Sequence, residues 1–232
     1  SSPTAVCAGA SAVLSATGAT NYTWTPGNIV GSPITVTPAI STVYTVTGNT
    51  AGCAGTRTVS VIVNPRPTIV AASSPTSVCP GFCSTLTASG ALTYTYLPAG
   101  PAVCPTITTT YSVSGTSSLG CVSATPGTVN VIVNPTPNIT LTPSSASICV
   151  GGSVAITASG ASSYTWMPGN LSGTTNTLSP AVTTVYTVSG TSAAGCLGTR
   201  TIAITVISNP TVTASSSPTA VCAGASAVLS AT

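Results

Sequence analysis

Apolar residues recur at every second position along most of the chain, as in SAVLSATG (11–18), where Ala12, Leu14 and Ala16 share one face. Successive side chains of a strand point to opposite faces of a sheet, so this period predicts half-buried β-strands. No stretch carries the 3.6-residue spacing of an amphipathic helix, and no helix is predicted. Gly-Ala turns separate SAVLSATG from TNYTW (20–24). Turn signals about every 8–12 residues divide each stretch of about 70 residues into six or seven short strands, the pattern of a small antiparallel β-sandwich.

The pattern repeats at two scales. Residues 1–17, SSPTAVCAGASAVLSAT, recur letter for letter at 216–232, an offset of 215. Within that period Cys7, Cys79, Cys149 and Cys222 mark starts 72, 70 and 73 residues apart. The repeats align again at NYTWTPGN (21–28), TYTYLPAG (93–100) and SYTWMPGN (163–170), then at STVYTVTG (41–48), TTTYSVSG (108–115) and TTVYTVSG (183–190). Each closes on an alternating run and Asn-Pro: TVSVIVNP (58–65), TVNVIVNP (128–135) and TIAITVISNP (201–210). Proline cannot donate to a strand ladder, so these positions read as module boundaries. The expected modules are 1–65, lacking its first strand; 66–135; 136–209; and 210–232, the first two strands of a further module. A β-helix would repeat every 20–30 residues instead. Both ends read as cuts through a module, as in a window on a longer chain of period 215. The rival reading is strand donation between copies, because the first module lacks the stretch equivalent to 67–74 and 210–216 supplies one.

Composition narrows the chemistry. The chain holds three Arg but no Lys, Asp, Glu or His. Acid/base catalysis, carboxylate-bound calcium and His-bound zinc lose their usual side chains, so no enzyme, metal or cofactor is expected. A net charge of +3 gives no basic stripe for nucleic acid. No apolar run is long enough to span a membrane as a helix. Nine Cys without metal-type CxxC pairs point to disulfides and an oxidising, extracellular compartment. Repeat logic pairs each early Cys with the late one of its own module: Cys7 with Cys53, Cys79 with Cys121, Cys149 with Cys196. It also pairs Cys83 with Cys104 and leaves Cys222 unpaired or intermodular.

Nine of the ten aromatics occupy three places per repeat: Tyr22, Tyr94 and Tyr164; Trp24, Tyr96 and Trp166; Tyr44, Tyr111 and Tyr186. They are expected in the core, where a module this small needs large side chains; a carbohydrate-stacking platform is the alternative. Arg57 and Arg200 match in GTRT, with Thr125 in the middle repeat, and Arg66 lies in the linker NPRP. No carboxylate exists to pair with any of them, so they are expected to be exposed. Asn21, Asn138 and Asn170 head Asn-x-Ser/Thr sequons and are candidate glycosylation sites.

The repeat pattern, SVCxGxSxxLxASGAxxYTWxPG followed by TVYTVSGTxxxGCxGTRTVxVxVNP, resembles the Ig-like or PKD-like tandem repeats of large secreted adhesins and gliding-associated proteins of Bacteroidota. The resemblance implies an all-β tandem array of small antiparallel sandwiches, export by the type IX route, and a place in surface fibres or adhesion. The sequence departs from PKD modules where TPGN follows Trp24 in place of acidic residues, which argues against calcium stiffening. The expected role is a non-enzymatic extracellular fibre or cell-surface filament that associates with itself. A carbohydrate-binding or spacer array, with glycans as partner, is the alternative.

Overall fold

A computed structural model describes residues 4–232, so Ser1, Ser2 and Pro3 of the duplicated segment and of the first expected module lie outside the described residues. Among these residues the regular structure is all strand. The first repeat forms β1 (Ala5–Cys7), β2 (Ala12–Leu14), β3 (Asn21–Thr25), β4 (Ile29–Val30), β5 (Ile34–Val36), β6 (Thr42–Thr50) and β7 (Cys53–Asn64). The second forms β8 (Val70–Ser74), β9 (Ser77–Val78), β10 (Ser84–Ser89), β11 (Thr93–Leu97), β12 (Ala102–Val103), β13 (Thr109–Thr116) and β14 (Gly127–Val133). The third forms β15 (Thr140–Pro143), β16 (Ser147–Cys149), β17 (Val154–Ser159), β18 (Ser163–Met167), β19 (Leu171–Ser172), β20 (Thr175–Leu178), β21 (Thr184–Thr191) and β22 (Leu197–Ile207). A final hairpin joins β23 (Ala214–Ser217) to β24 (Val228–Ala231).

The chain divides into two compact units, Ser1–Val133 and Asn134–Thr232. In the second unit, one sheet runs β15-β17-β20 and the other β16-β22-β21-β18-β19. The pairing of β16 with β22 is parallel and the rest antiparallel. Two sheets with their inner faces packed, and the chain's first stretch divided between them, make an Ig-like sandwich. The first unit contains two such sandwiches. The first repeat has β1-β7-β6-β3-β4 against β2-β5, and the second has β11-β13-β14-β9 against β12-β10-β8.

Alternation builds the cores. In β17, Val154, Ile156 and Ala158 face inward while Thr157 and Ser159 face out. Three separate clusters result, centred on Leu14, Trp24 and Val61; on Leu86, Tyr111 and Val131; and on Ile156, Trp166 and Ile204. Each fully buried Leu, Ile or Val contributes roughly 1.5–3 kcal/mol. Thr, common on the outer faces, favours extended backbone without adding apolar surface.

The repeats differ in one connection. From Thr25 to Thr42 and from Met167 to Thr184 the chain advances 17 residues, but from Leu97 to Thr109 only 12. The short strand that follows the Trp strand as β4 and β19 has no counterpart in the second repeat.

Candidate functional site: an intermodular staple and an open groove

The equivalent aromatics do different work at each of their three positions. Trp24 and Trp166 are 1% and 0% exposed. Their indole N–H groups donate to the carbonyls of Gly31 and Gly173, each at 2.9 Å, which pins the turn leading out of the strand. Tyr96, in place of Trp in the second repeat, is half-buried. Tyr44, Tyr111 and Tyr186 are buried on the central strands β6, β13 and β21, each two residues before an inward Val46, Val113 or Val188. Tyr164 is buried, and Tyr22 and Tyr94 half-buried. Their hydroxyls accept from the backbone N–H three residues earlier, of Ala19, Ala91 and Ala161. The carbohydrate-stacking alternative finds neither tryptophan face at the surface.

The expected within-module cysteine pairs do not form where the bonds are resolved. Cys7 is bonded to Cys121, late in the second repeat, 114 residues away with a Cα–Cα distance of 5.6 Å. Strand geometry gives the reason. Cys7 ends β1 opposite Asn64, the last residue of β7, whereas Cys53 is the first residue of that same 12-residue strand. At about 3.3 Å per residue the two ends lie about 36 Å apart, far beyond the reach of a disulfide. The third repeat has the same construction: Cys149 pairs with Ile207 at the end of β22, while Cys196 immediately precedes its start. Cys149 and Cys196 are therefore also about 36 Å apart along one strand line. Cys121 is spoken for by Cys7, so Cys79 to Cys121 fails as well. Cys83 is bonded to Cys104. Cys79 and Cys196 are also held in disulfides, while Cys53, Cys149 and Cys222 are free and exposed.

The Cys7–Cys121 bond thus joins the closing end of one repeat to the turn before the last strand of the next. Arg66 reinforces the joint from the linker. Its Nε donates to the Ala8 carbonyl at 2.8 Å and its Nη1 to the Val122 carbonyl at 3.0 Å, one bond to each repeat. The sulfur of Cys121 lies 3.9 Å from the Asn64 carbonyl oxygen, and that of Cys196 lies 3.6 Å from the carbonyl oxygen of Asn134, the residue at the same point of its own linker. The sequence marked Arg66 only as a linker residue. Its two carbonyl partners belong to residues that no local motif distinguishes.

Arg57 and Arg200 are exposed on β7 and β22, opposite Val46 and Val188. The second-repeat residue opposite Val113 is Gly127, so Gly127 rather than Thr125 is their counterpart. Asn21, Asn138 and Asn170 are exposed. No group of three or more His, Cys, Asp or Glu side chains that could hold a metal occurs among the described residues. No helix among them is long and apolar enough to cross a membrane.

The first repeat carries a groove of about 840 Å³ lined by residues that include Gly18, Tyr22, Trp24, Val46, Cys53 and Gly55. In the other two repeats the incoming chain fills this place. Ile69 and Ile139 are 7% and 3% exposed there, and a Cβ on Gly115 or Gly190 would collide with their side chains. A Cβ on Gly90 or Gly160 would strike the Thr68 or Asn138 carbonyl, and one on Gly198 the Pro137 carbonyl. At Gly18 and Gly55, the first-repeat counterparts of Gly160 and Gly198, a Cβ would meet nothing within 4 Å among the described residues. Among the described residues, β10 and β17 each pair with two strands and β2 with β5.

No family model matches the chain, and no characterised protein matches it in sequence. Among solved structures, a Ca²⁺-stabilised adhesin that helps an Antarctic bacterium bind ice aligns over 92% of this chain and 74% of its own, at 14% identity and a TM-score of 0.38. Titin domains I67–I69 align over 89% and 95%, at 11% identity and 0.38. A 1.5-MDa bacterial ice-binding adhesin aligns over 88% and 95%, at 12% identity and 0.32.

Proposed function

We propose that this chain is a non-enzymatic structural stretch of an extracellular fibre or cell-surface filament, of the kind built from Ig-like or PKD-like repeats in Bacteroidota surface proteins. Its serial modules span about 1–65, 66–135 and 136–209, with 210–232 opening a further one. The observation that carries this reading is the Cys7–Cys121 bond: a covalent tie between successive repeats, backed by Arg66 and outside both core clusters, resists separation of modules. Disulfides of this kind persist outside the reducing cytoplasm. An outer surface with almost no charge offers little repulsion to close neighbours of its own kind. Exposed Asn21, Asn138 and Asn170 are accessible to glycosylation if the producing cell performs it.

Antibodies against the chain should label intact, unpermeabilised cells or shed extracellular material, and labelling that needs permeabilisation would overturn the reading. Burial of Trp24 and Trp166 separates it from the glycan-binding alternative. Soluble oligosaccharides should leave tryptophan emission unshifted and unquenched, while saturable quenching would favour the alternative.

A further inference from the structure

We propose that the Cys7–Cys121 bond is the tensile load path of the first unit: a pull along the chain crosses from sulfur to sulfur, and the residues between the two cysteines are not drawn out. This deepens the structural reading above and rests on it.

Topology carries the argument. The bond joins residues 114 apart in sequence, and every strand from β2 to β13 lies between them. Those strands build nearly all of the core around Trp24 and most of the core around Leu86. A force applied outside a covalently closed loop cannot extend the chain inside it. Without the bond, the same force would run through each of these strands in turn, and each sandwich would unravel as its ladders opened. Ladder hydrogen bonds are individually weak once their exchange with water is counted, whereas the sulfur–sulfur bond is covalent.

The local geometry delivers the force to the bond. β1 pairs with β7 over Ala5–Cys7 alone, opposite Ile62, Val63 and Asn64, so it meets the first sandwich at the linker end and finishes on the staple. On the other side, Cys121 is 0% exposed and seated in a closed turn. The Ser117 backbone N–H donates to the Cys121 carbonyl at 2.9 Å, and the Cys121 N–H donates to the Ser117 hydroxyl at 3.2 Å. Arg66 then ties the two sides together one residue beyond each cysteine, at the carbonyls of Ala8 and Val122. Entry and exit share one node, and the first sandwich hangs beside the load rather than within it. Resistance to heat and resistance to pulling are thereby separated. Leu14, Trp24 and Val61 set the first, and the staple sets the second.

The test is single-molecule pulling on the 232-residue chain between click handles placed at Thr4 and Thr125, both exposed. In the parent, only the short stretches outside the loop can extend, about 25 Å in all. In Cys7→Ser/Cys121→Ser the extension should reach about 350 Å, with the Cys83–Cys104 bond still holding the 21-residue stretch that it spans out of the path. Val46→Ala, in the buried core of the first repeat, distinguishes a load path from a simple brace. It should lower the melting temperature of the parent and leave the parent's force trace unchanged. In the double-serine background it should lower the rupture force of the first repeat, because forced unfolding follows the unfolding rate. An extension of hundreds of ångströms in the parent, or a parent trace that shifts with Val46→Ala, would overturn the load path. Either result leaves the extracellular reading to be decided by the antibody labelling of intact cells.

Discussion

Trp166 shows how much one side chain carries in a sandwich this small. It fills the centre of its core at 0% exposure and spends its only hydrogen-bond donor on the Gly173 carbonyl, which closes the β18–β19 hairpin. The second repeat is a natural control. There Tyr96 replaces Trp, the following connection is five residues shorter (17 against 12), and no strand equivalent to β4 or β19 forms. The Cys83–Cys104 bond ties down that region in its place. Trp166→Phe should therefore remove a hydrogen bond, strand a carbonyl and leave a void, a combined loss of about 2–4 kcal/mol. Hydrogen exchange checks it: amides of β18 and β21 should lose protection by that amount while those of β3 and β6 keep theirs. Equal protection in mutant and parent would mean that the indole merely occupies space.

At the scale of elements, the glycines before the turns decide where a segment can lie. Gly190 is pressed against Ile139 and Ala161, so Gly190→Ala should overpack the third repeat and lower its stability by about 1–3 kcal/mol in urea titrations. Gly55→Ala adds the same methyl to a strand position with nothing within 4 Å, and the melting temperature should move by no more than about a degree. A clear fall in the melting temperature of Gly55→Ala would show that the methyl meets a neighbour there. Much at this scale is legible in the sequence: period-two alternation gives the strands, and the triplicate aromatics give the cores, since both follow from local burial. Cysteine pairing is not legible that way. Equal spacing of Cys7 to Cys53 and Cys149 to Cys196 suggests closed loops, whereas the cysteines stand at opposite ends of β7 and of the β22 strand line. Their separation is visible only once the closing strand is known to be 12 residues long and paired in parallel with β1 at its far end.

Across the first unit, the balance between the covalent tie and the polar contacts decides how its two repeats behave. The cores around Trp24 and around Leu86 are separate clusters, so neither needs the other to bury its side chains. The linker contributes two exposed Arg66 hydrogen bonds, each worth no more than about 1 kcal/mol net. The Cys7–Cys121 bond spans 114 residues, and in the chain-entropy model a loop of that size contributes about 4–5 kcal/mol by restricting the unfolded chain. The bond therefore outweighs the polar clamp and couples the two repeats. In Cys7→Ser/Cys121→Ser the far-UV circular dichroism should persist, since both cores remain intact. Calorimetry of the parent should show the two repeats melting together, and the double variant should resolve them. If the transitions stay merged and unshifted, the linker and its arginine hold the repeats together by themselves, and the staple's work would lie in resisting applied force rather than heat.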